Sequence, residues 1–241
     1  MKLGKMIAGV GLAAVVLLAV AFGLFQVSRS RDFQFFGKLV SHVQTAEQVV
    51  ALTFDDGPNP TYTPQVLALL QAKGVKATLF LIGREIEQAP DVAKAVVAAG
   101  HQIGNHTFTH TNLTLASEAQ AAAEIEPTDT LIRAAGYRGD ITFRPPNGKK
   151  LFGLPLYLSK HDRTTVMWNV EPDSYSDIAS DPARIAAFVT DKVQPGSIVI
   201  LHAMYRSRET TRQALPAIID GLRAKGYRFV TVDELMKLGA S

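Results

Sequence analysis

The sequence predicts an α/β fold in which parallel strands alternate with helices, preceded by an apolar N-terminal segment. From residue 49 to residue 238, short apolar runs typical of buried strands alternate with amphipathic runs typical of helices. A glycine follows four of the helical runs, as is common where helices end. Residues 6–25 form one uncharged apolar stretch. The alternation fits either a closed barrel or an open doubly wound sheet.

Residues 1–30 are predicted to be an export segment. Lys2 and Lys5 precede the apolar run, whose twenty residues at about 1.5 Å each span roughly the 30 Å hydrocarbon core of a bilayer. The run fits an uncleaved signal anchor whose lysines stay in the cytoplasm. It also fits a signal peptide cleaved after the tripeptide Ala19-Val20-Ala21. Because the run continues apolar to Phe25, we favour the anchor, and both interpretations export the rest of the chain.

The remaining chain has the composition of one globular domain. The 241 residues are 47% hydrophobic and 20% charged, and we expect a tether at residues 31–46 and one domain at residues 47–241. The absence of cysteine excludes a disulfide scaffold, a thiolate metal site and a cysteine nucleophile. The net charge of +3 is carried by Lys2, Lys5 and Arg29, so the domain itself is neutral and no nucleic-acid partner is expected.

Seven strands and six main helices are predicted within the domain. The strands are expected at residues 49–54, 77–82, 102–104, 141–143, 165–168, 197–201 and 228–232. The helices are expected at residues 64–72, 90–98, 117–135, 155–160, 182–192 and 211–224. Pro127 lies inside the third helix and is expected to kink or split it.

Polar clusters directly follow five of the predicted strands. They are Asp55-Asp56-Gly57-Pro58, the run from Asn105 to His110, the run from Arg144 to Gly148, the run from Trp168 to Asp173, and His202. Because the carboxyl ends of parallel strands meet at one face of a barrel or sheet, we expect these side chains to form one site. Each cluster alone has an ordinary explanation as a turn or a surface group, but five at one face indicate an active site.

The residue types in these clusters are those of metal-assisted hydrolysis. Two histidines and one carboxylate can hold a metal ion and leave open positions for water and substrate. A second carboxylate can accept the proton of the water, and a separate histidine can protonate the leaving group. Asp55 and Asp56 can divide these roles only if the chain bends directly after the strand, which Gly57-Pro58 permits. We expect zinc, because imidazole and carboxylate ligands in an open site suit it.

The motifs resemble those of a known family. Four segments are similar, in order and spacing, to the polysaccharide deacetylases of carbohydrate esterase family 4: Thr53-Phe54-Asp55-Asp56-Gly57-Pro58, His106-Thr107-Phe108-Thr109-His110, Phe143-Arg144-Pro145-Pro146 and Ile200-Leu201-His202. The resemblance covers about residues 47–238. It implies a distorted, incomplete (β/α)7 barrel that removes acetyl groups from a glycan. The expected substrate is an envelope polysaccharide with N-acetylglucosamine units, such as peptidoglycan or a chitin-like oligomer.

The resemblance also implies a role for each motif residue. The ligands of a divalent metal ion would be Asp56, His106 and His110. Asp55 would be the general base, Arg144 would orient it, and His202 would be the general acid. The substrate contacts would come from Trp168, Asn147 and Pro145. The backbone N–H near Asn147 would help to bind the oxyanion.

Three positions depart from the family pattern. Asn147 stands where an aromatic residue is frequent, Asn169 where an acidic residue is common, and Ala203 where an aspartate is frequent. Glu171 or Asp173 would then supply the missing carboxylate, and the sequence leaves that choice open. Since no metal ligand or proposed base is lost, the departures indicate an altered substrate preference.

Two other classes of function fit parts of this pattern. A membrane-tethered, non-catalytic glycan-binding protein would be expected to lack Asp55, a histidine ligand or His202, and all are present. An amidohydrolase of small non-sugar amides would not need aromatic residues at the rim of its cleft, whereas Trp168 and two nearby tyrosines favour a sugar. The expected location is outside the cytoplasm, attached to the membrane or released by cleavage, and the sequence does not indicate an oligomeric state.

Overall fold

Parallel strands and helices alternate along the chain, as predicted. The computed structural model describes residues 2–239, and their side chains from Gly11 onward. Two parts of the sequence-based prediction therefore lie outside the described residues: the side chains of Lys2 and Lys5, and the last two residues, 240–241, of the predicted domain. The strands are β1 (Leu39–Val40), β2 (Val49–Asp55), β3 (Thr78–Leu81), β4 (Gln102–Asn105), β5 (Thr165–Val166), β6 (Ser197–Leu201) and β7 (Arg228–Phe229). The helices are α1 (Lys2–Arg29), α2 (Thr63–Ala72), α3 (Gly83–Gln88), α4 (Pro90–Ala98), α5 (Glu118–Ala134), α6 (Gly153–Lys160), α7 (Ser176–Ala179), α8 (Pro182–Lys192), α9 (Glu209–Ala224) and α10 (Val232–Leu238).

The parallel strands form a distorted, incomplete barrel in which β2 is the central strand of the main sheet. One edge of β2 pairs with β6, and the other edge pairs with β7 at its start and with β3 at its end. β4 pairs with β3, and Phe143 links β4 to β5 through single pairs with Asn105 and Thr165. Val170 pairs with Val199 of β6. The predicted barrel is confirmed, distorted because Phe143 replaces the strand expected at residues 141–143.

Strand β2 delivers side chains alternately to the two sides of the barrel wall. Its even-numbered residues pack in the apolar cluster beneath the surrounding helices, whereas Val49 and Ala51 pack in the barrel interior. The inward alternation continues through Thr53 to Asp55. The strand therefore carries Asp55 into the carboxyl end of the barrel, at the bottom of any site formed there.

The helix bounds agree with the prediction to within two residues, and the differences lie in the short elements. The sequence missed α3, α7 and α10, which span four to seven residues each. Pro127 does not split α5, which continues from Glu118 to Ala134. Its start is fixed by a capping box, in which the Ser117 hydroxyl accepts from the backbone N–H of Gln120 and the Gln120 side chain accepts from the backbone N–H of Ser117.

Residues 31–46 differ from the predicted tether because the part from Leu39 to Val43 pairs with the barrel wall. Within them, β1 pairs with β5, and the backbone N–H of Val43 donates to the carbonyl of Gly196 at 3.0 Å. The preceding helix end is also attached, because the carbonyl of Ser28 accepts from the backbone N–H of Lys150 at 3.0 Å. The ordered wall of the barrel thus begins before the expected boundary at residue 47, and the end of α1 is fixed against it.

Candidate active site

Asp55 and Asp56 stand at a sharp bend that follows β2. Asp55 is only 2% exposed, and Asp56 adopts a left-handed φ of 74°. Gly57 follows with a φ of 70°, and a Cβ there would lie 3.1 Å from the sulfur of Met204. The bend expected from Gly57-Pro58 is therefore present. Asp55 pairs with Arg144 and Asp56 lies 3.4 Å from His110, whereas both carboxylates lie within 3.8 Å of the Nε2 atom of His106.

Arg144 lies fully buried behind Asp55. Its Nη1 donates to Asp55 Oδ1 at 2.6 Å and to Thr53 Oγ1 at 2.7 Å. Its Nε and Nη2 donate to the backbone carbonyls of Val166 and Met167, both at 3.1 Å. The guanidinium is held at four points, so the position of the Asp55 carboxylate is held as well.

The surrounding charges set the protonation of Asp55. Burial alone would raise the pKa of this carboxyl, but the charge and hydrogen bond of Arg144, together with the charge of His202, outweigh it and hold the pKa below its ordinary value. Burial has the opposite consequence for His106, whose pKa it lowers. At neutral pH the site therefore pairs an ionised Asp55 with a neutral His106 imidazole.

A loop after β4 presents His106 and His110. Thr107 and His110 have left-handed φ values of 70° and 60°, so the loop is not a helical turn. Glu124 of α5 holds it by accepting from the backbone N–H groups of residues 108 and 109 at 3.0 and 2.8 Å. The Thr107 hydroxyl accepts from the backbone N–H of His110 at 2.9 Å. These bonds keep both imidazoles on the same side of the loop.

The side chains of Asp56, His106 and His110 converge, with their candidate ligand atoms within 4.8 Å of one another. Asp56 Oδ1 is 3.4 Å from His110 Nε2 and 3.8 Å from His106 Nε2, and ligands about 2.1 Å from a tetrahedral zinc ion are roughly 3.4 Å apart. His106 Nδ1 lies 2.7 Å from the carbonyl oxygen of Arg144, which places the proton on Nδ1 and leaves Nε2 free for a metal. The three residues fit a divalent metal ion.

His202 follows β6 and is held by Asp173. The Oδ2 atom of Asp173 is 2.8 Å from His202 Nδ1 and accepts from the backbone N–H of His202 at 3.0 Å. Burial alone would lower the pKa of His202, but the hydrogen bond with Asp173 and the charges of Asp55 and Asp56 outweigh it and raise the pKa. The sequence left open whether Glu171 or Asp173 supplies the missing carboxylate. In the structure, Asp173 pairs with His202, and Glu171 pairs with Arg31.

One cleft of about 390 Å³ is lined by the candidate metal ligands Asp56, His106 and His110 and also by Asp55 and His202. Asn147 also lines it, on a turn where its φ is 56°. Pro145, predicted to contact the substrate, is buried and is not part of the lining. Arg144 is likewise behind the wall rather than in it.

Trp168, which the resemblance places among the substrate contacts, lines the cleft as a largely buried side chain. It is only 5% exposed, and its Nε1 donates to Glu171 at 3.0 Å. The guanidinium carbons of Arg31 and Arg144 lie 4.9 and 5.4 Å from its ring centroid. The indole is thus fixed between cations as part of the wall. Tyr205 donates to Glu85 instead of lining the cleft.

The chain matches known proteins over most of its length. The family model described as polysaccharide deacetylase matches residues 42–166, just over half of the chain. This chain belongs to the polysaccharide deacetylase family. A peptidoglycan-N-acetylglucosamine deacetylase of Bacillus cereus is 34% identical over 201 residues, which cover 83% of this chain and 94% of that protein. The resemblance of the four motifs to this family is confirmed. The activity of the family is the divalent-metal-dependent hydrolysis of N-acetyl groups in glycans.

Solved structures of this deacetylase family have the same fold. The Bc1960 peptidoglycan N-acetylglucosamine deacetylase matches with a TM-score of 0.77 at 30% identity, covering 82% of this chain and 92% of that one. A family 4 pseudoenzyme from Bacillus anthracis matches with a TM-score of 0.74 at 28% identity, covering 83% and 69%. The fold therefore occurs in both an enzyme and a pseudoenzyme.

The three positions that depart from the family pattern have different surroundings in the structure. Asn169 supports the barrel wall, because its side chain bonds Ser197 Oγ at 3.0 Å and accepts from the backbone N–H of Ile198 at 2.9 Å. Ala203 is buried. Asn147 leaves the turn exposed where an aromatic ring is frequent. Sequence reasoning missed the cleft residue Arg31, because its partner Glu171 lies 140 residues away in the chain.

Proposed function

We propose that this chain hydrolyses the acetyl amide of N-acetylglucosamine units in an envelope polysaccharide such as peptidoglycan or a chitin-like oligomer. The observation that carries the proposal is Asp55, locked to Arg144, beside a convergent Asp56, His106 and His110 in a cleft that also holds His202. A base, a divalent-metal site and an acid around one cleft are what amide hydrolysis requires. The similarity to a peptidoglycan deacetylase supports the choice of substrate.

Asp56, His106 and His110 would hold the metal ion, and we propose zinc because one carboxylate and two imidazoles in an open site suit it. When bound, such an ion polarises the acetyl carbonyl and lowers the pKa of water to about 7. His106 contributes a neutral imidazole because burial lowers its pKa. Its bond with the carbonyl of Arg144 couples the ligand to the residue that positions the base.

Two side chains would move the protons. Asp55 accepts the proton of the attacking water, and Arg144 keeps Asp55 ionised and correctly placed. His202 carries a proton because Asp173 raises its pKa, and it donates that proton to the amine nitrogen as the acetyl group leaves. The backbone N–H near Asn147, at the cleft wall, would stabilise the oxyanion.

Acetate release by the full-length protein tests this proposal. The protein is stripped with a chelator, reloaded with zinc, and incubated with acetylated chitooligosaccharides and with peptidoglycan fragments. We expect acetate release from a glycan only in the reloaded protein, at about one metal ion per chain. Glycan binding without acetate release would instead support a non-catalytic binding protein, of which the related pseudoenzyme is a precedent. Release from small non-sugar amides alone would support the amidohydrolase alternative.

We also propose that the N-terminal helix attaches the enzyme to the outer side of the cytoplasmic membrane. Its stretch Gly11–Arg29 has a mean hydropathy of 2.2 and is only 6% buried, so length and composition suit a membrane span. Directly after it, Phe33, Phe35 and Phe36 are exposed, and Phe35 stacks at 4.8 Å on exposed Phe152. Exposed aromatic rings next to a span suit the membrane interface.

N-terminal sequencing of the protein from membranes tests the anchor. We expect full-length protein in the membrane fraction with Met1 or Lys2 at its N-terminus. A mature N-terminus at Phe22 would establish cleavage after Ala21 and overturn the anchor.

A further inference from the structure

Three arginines from distant parts of the chain line the candidate active site. Arg29 ends α1, Arg31 follows it by two residues, and Arg208 lies in the 3₁₀ turn Arg206–Arg208 before α9. All three line the cleft that also contains the metal-binding side chains. The domain as a whole is neutral, so this cationic rim is a local feature and not part of a basic surface.

The carboxylates of the cleft are already engaged. Asp55 pairs with Arg144, Asp56 faces the two histidines, and Glu171 pairs with Arg31. Within residues 2–239, neither Arg29 nor Arg208 pairs with a carboxylate. The guanidinium of Arg29 lies 5.2 Å from the ring centroid of Phe25. Two cations thus line a substrate cleft with their charge uncompensated by the chain.

We propose that Arg29 and Arg208 bind an anionic group carried by the glycan, a carboxylate or a phosphate, near the acetylated sugar. The inference rests on the proposed function and narrows its substrate class to acidic glycans. A guanidinium presents paired N–H donors that match either anion. Arg31 cannot serve in the same way because it is held by Glu171 and lies over Trp168; its role is to shape the wall.

The position of Arg29 allows a second kind of anion, the lipid headgroups at the end of a membrane span. Arg208 favours the glycan, because it is a rim residue of the barrel, far along the chain from α1, and yet lines the same cleft. The attachment of Ser28 to Lys150 holds the end of α1 at this rim. Cleavage after Ala21 would leave Arg29 in the mature chain, so the inference does not depend on the anchor.

Steady-state deacetylation by the full-length, zinc-loaded protein in detergent tests the subsite. The substrates are three N-acetylglucosamine oligosaccharides of equal length: neutral, carboxylate-bearing and phosphate-bearing. Arg29→Ala and Arg208→Ala should each raise the ratio of KM for an acidic oligosaccharide to KM for the neutral one about tenfold. The reason is that a charge-assisted hydrogen bond contributes a factor of about ten or more to affinity. The acid with the larger difference identifies the anion, and added salt should weaken the preference.

Arg206→Ala is the matched control, since Arg206 is in the same turn but outside the cleft, and it should keep the wild-type ratio of KM values. Equal changes on all three substrates, or a similar effect of Arg206→Ala, would overturn the proposal. So would an Arg29→Ala protein that loses only affinity for anionic lipid vesicles. Calorimetric binding of the same oligosaccharides reports on the subsite even without turnover, which separates its failure from failure of the proposed hydrolysis.

Discussion

Replacing Arg144 with lysine keeps one positive charge beside Asp55 and removes the fork that positions it. The arginine reaches Asp55, Thr53 and the carbonyls of Val166 and Met167 from three different nitrogens. A lysine ammonium is a single point and cannot span these acceptors. In the Arg144→Lys protein we expect the ammonium to keep a positive charge beside Asp55. The buried carbonyls of Val166 and Met167 would lose their hydrogen-bond donor.

The size of the effect follows from these contacts. Losing two hydrogen bonds in a fully buried site, at about 1–2 kcal/mol each, lowers the free energy of unfolding by roughly 2–4 kcal/mol. For a domain of this size, that corresponds to a fall in Tm of roughly 4–16 °C. Because general base catalysis contributes about 10²–10⁴-fold, a misplaced base should lower kcat by about tenfold or more.

Thermal unfolding, metal content and kcat are measured on the same preparation. We expect the Arg144→Lys protein to bind metal at wild-type stoichiometry while Tm and kcat fall. Arg133→Lys is the control: Arg133 also donates to two backbone carbonyls, those of Tyr137 and Gly139, but away from the cleft. Near-normal kcat in Arg144→Lys would refute the idea that Arg144 orients the base.

Two further substitutions examine the supports of the site. Asp173→Asn removes the carboxylate that raises the pKa of His202. Since His202 must be protonated to act as an acid, the alkaline limb of the pH–rate profile should move to lower pH. An unchanged alkaline limb would show that His202 is not the general acid. Glu124→Ala removes the side chain that holds the loop carrying His106 and His110, and it should lower zinc affinity about 10–100-fold. The affinity is measured by competition with a chelating dye, and the control Glu118→Ala on the same helix should leave it unchanged.

The sequence predicts the features that depend on local spacing. Strand β2 ends, as predicted, at the charged turn Asp55-Asp56-Gly57-Pro58. Helix bounds follow from capping residues and glycines, which act within a few positions. The histidine motif predicts that His106 and His110 lie together, and their ring centroids are 5.0 Å apart. The motif does not predict the shape of the loop, because the side chains that fix it, such as Glu124, lie on another element.

The features that the sequence does not predict depend on contacts between distant segments. Residues 31–46 lack the apolar run of a core strand, yet Leu39 and Val40 pair with β5 because that edge of the barrel is otherwise open. The sequence places Trp168 among the substrate contacts, but it does not show that the guanidinium of Arg31, more than a hundred positions earlier, lies over the indole ring. The choice between Glu171 and Asp173 likewise required their partners.

Zinc stoichiometry and turnover, measured in parallel on Asp55→Asn and Asp56→Ala, test the central claim most directly. Asp55→Asn keeps the size of the side chain and removes the proton acceptor, so zinc should stay bound while turnover collapses. Asp56→Ala leaves only His106 and His110 as ligands, so zinc affinity should fall and added zinc should restore part of the activity. If Asp55→Asn loses zinc while Asp56→Ala retains it, the two roles are reversed; if both variants remain fully active, the chemistry lies outside this cleft.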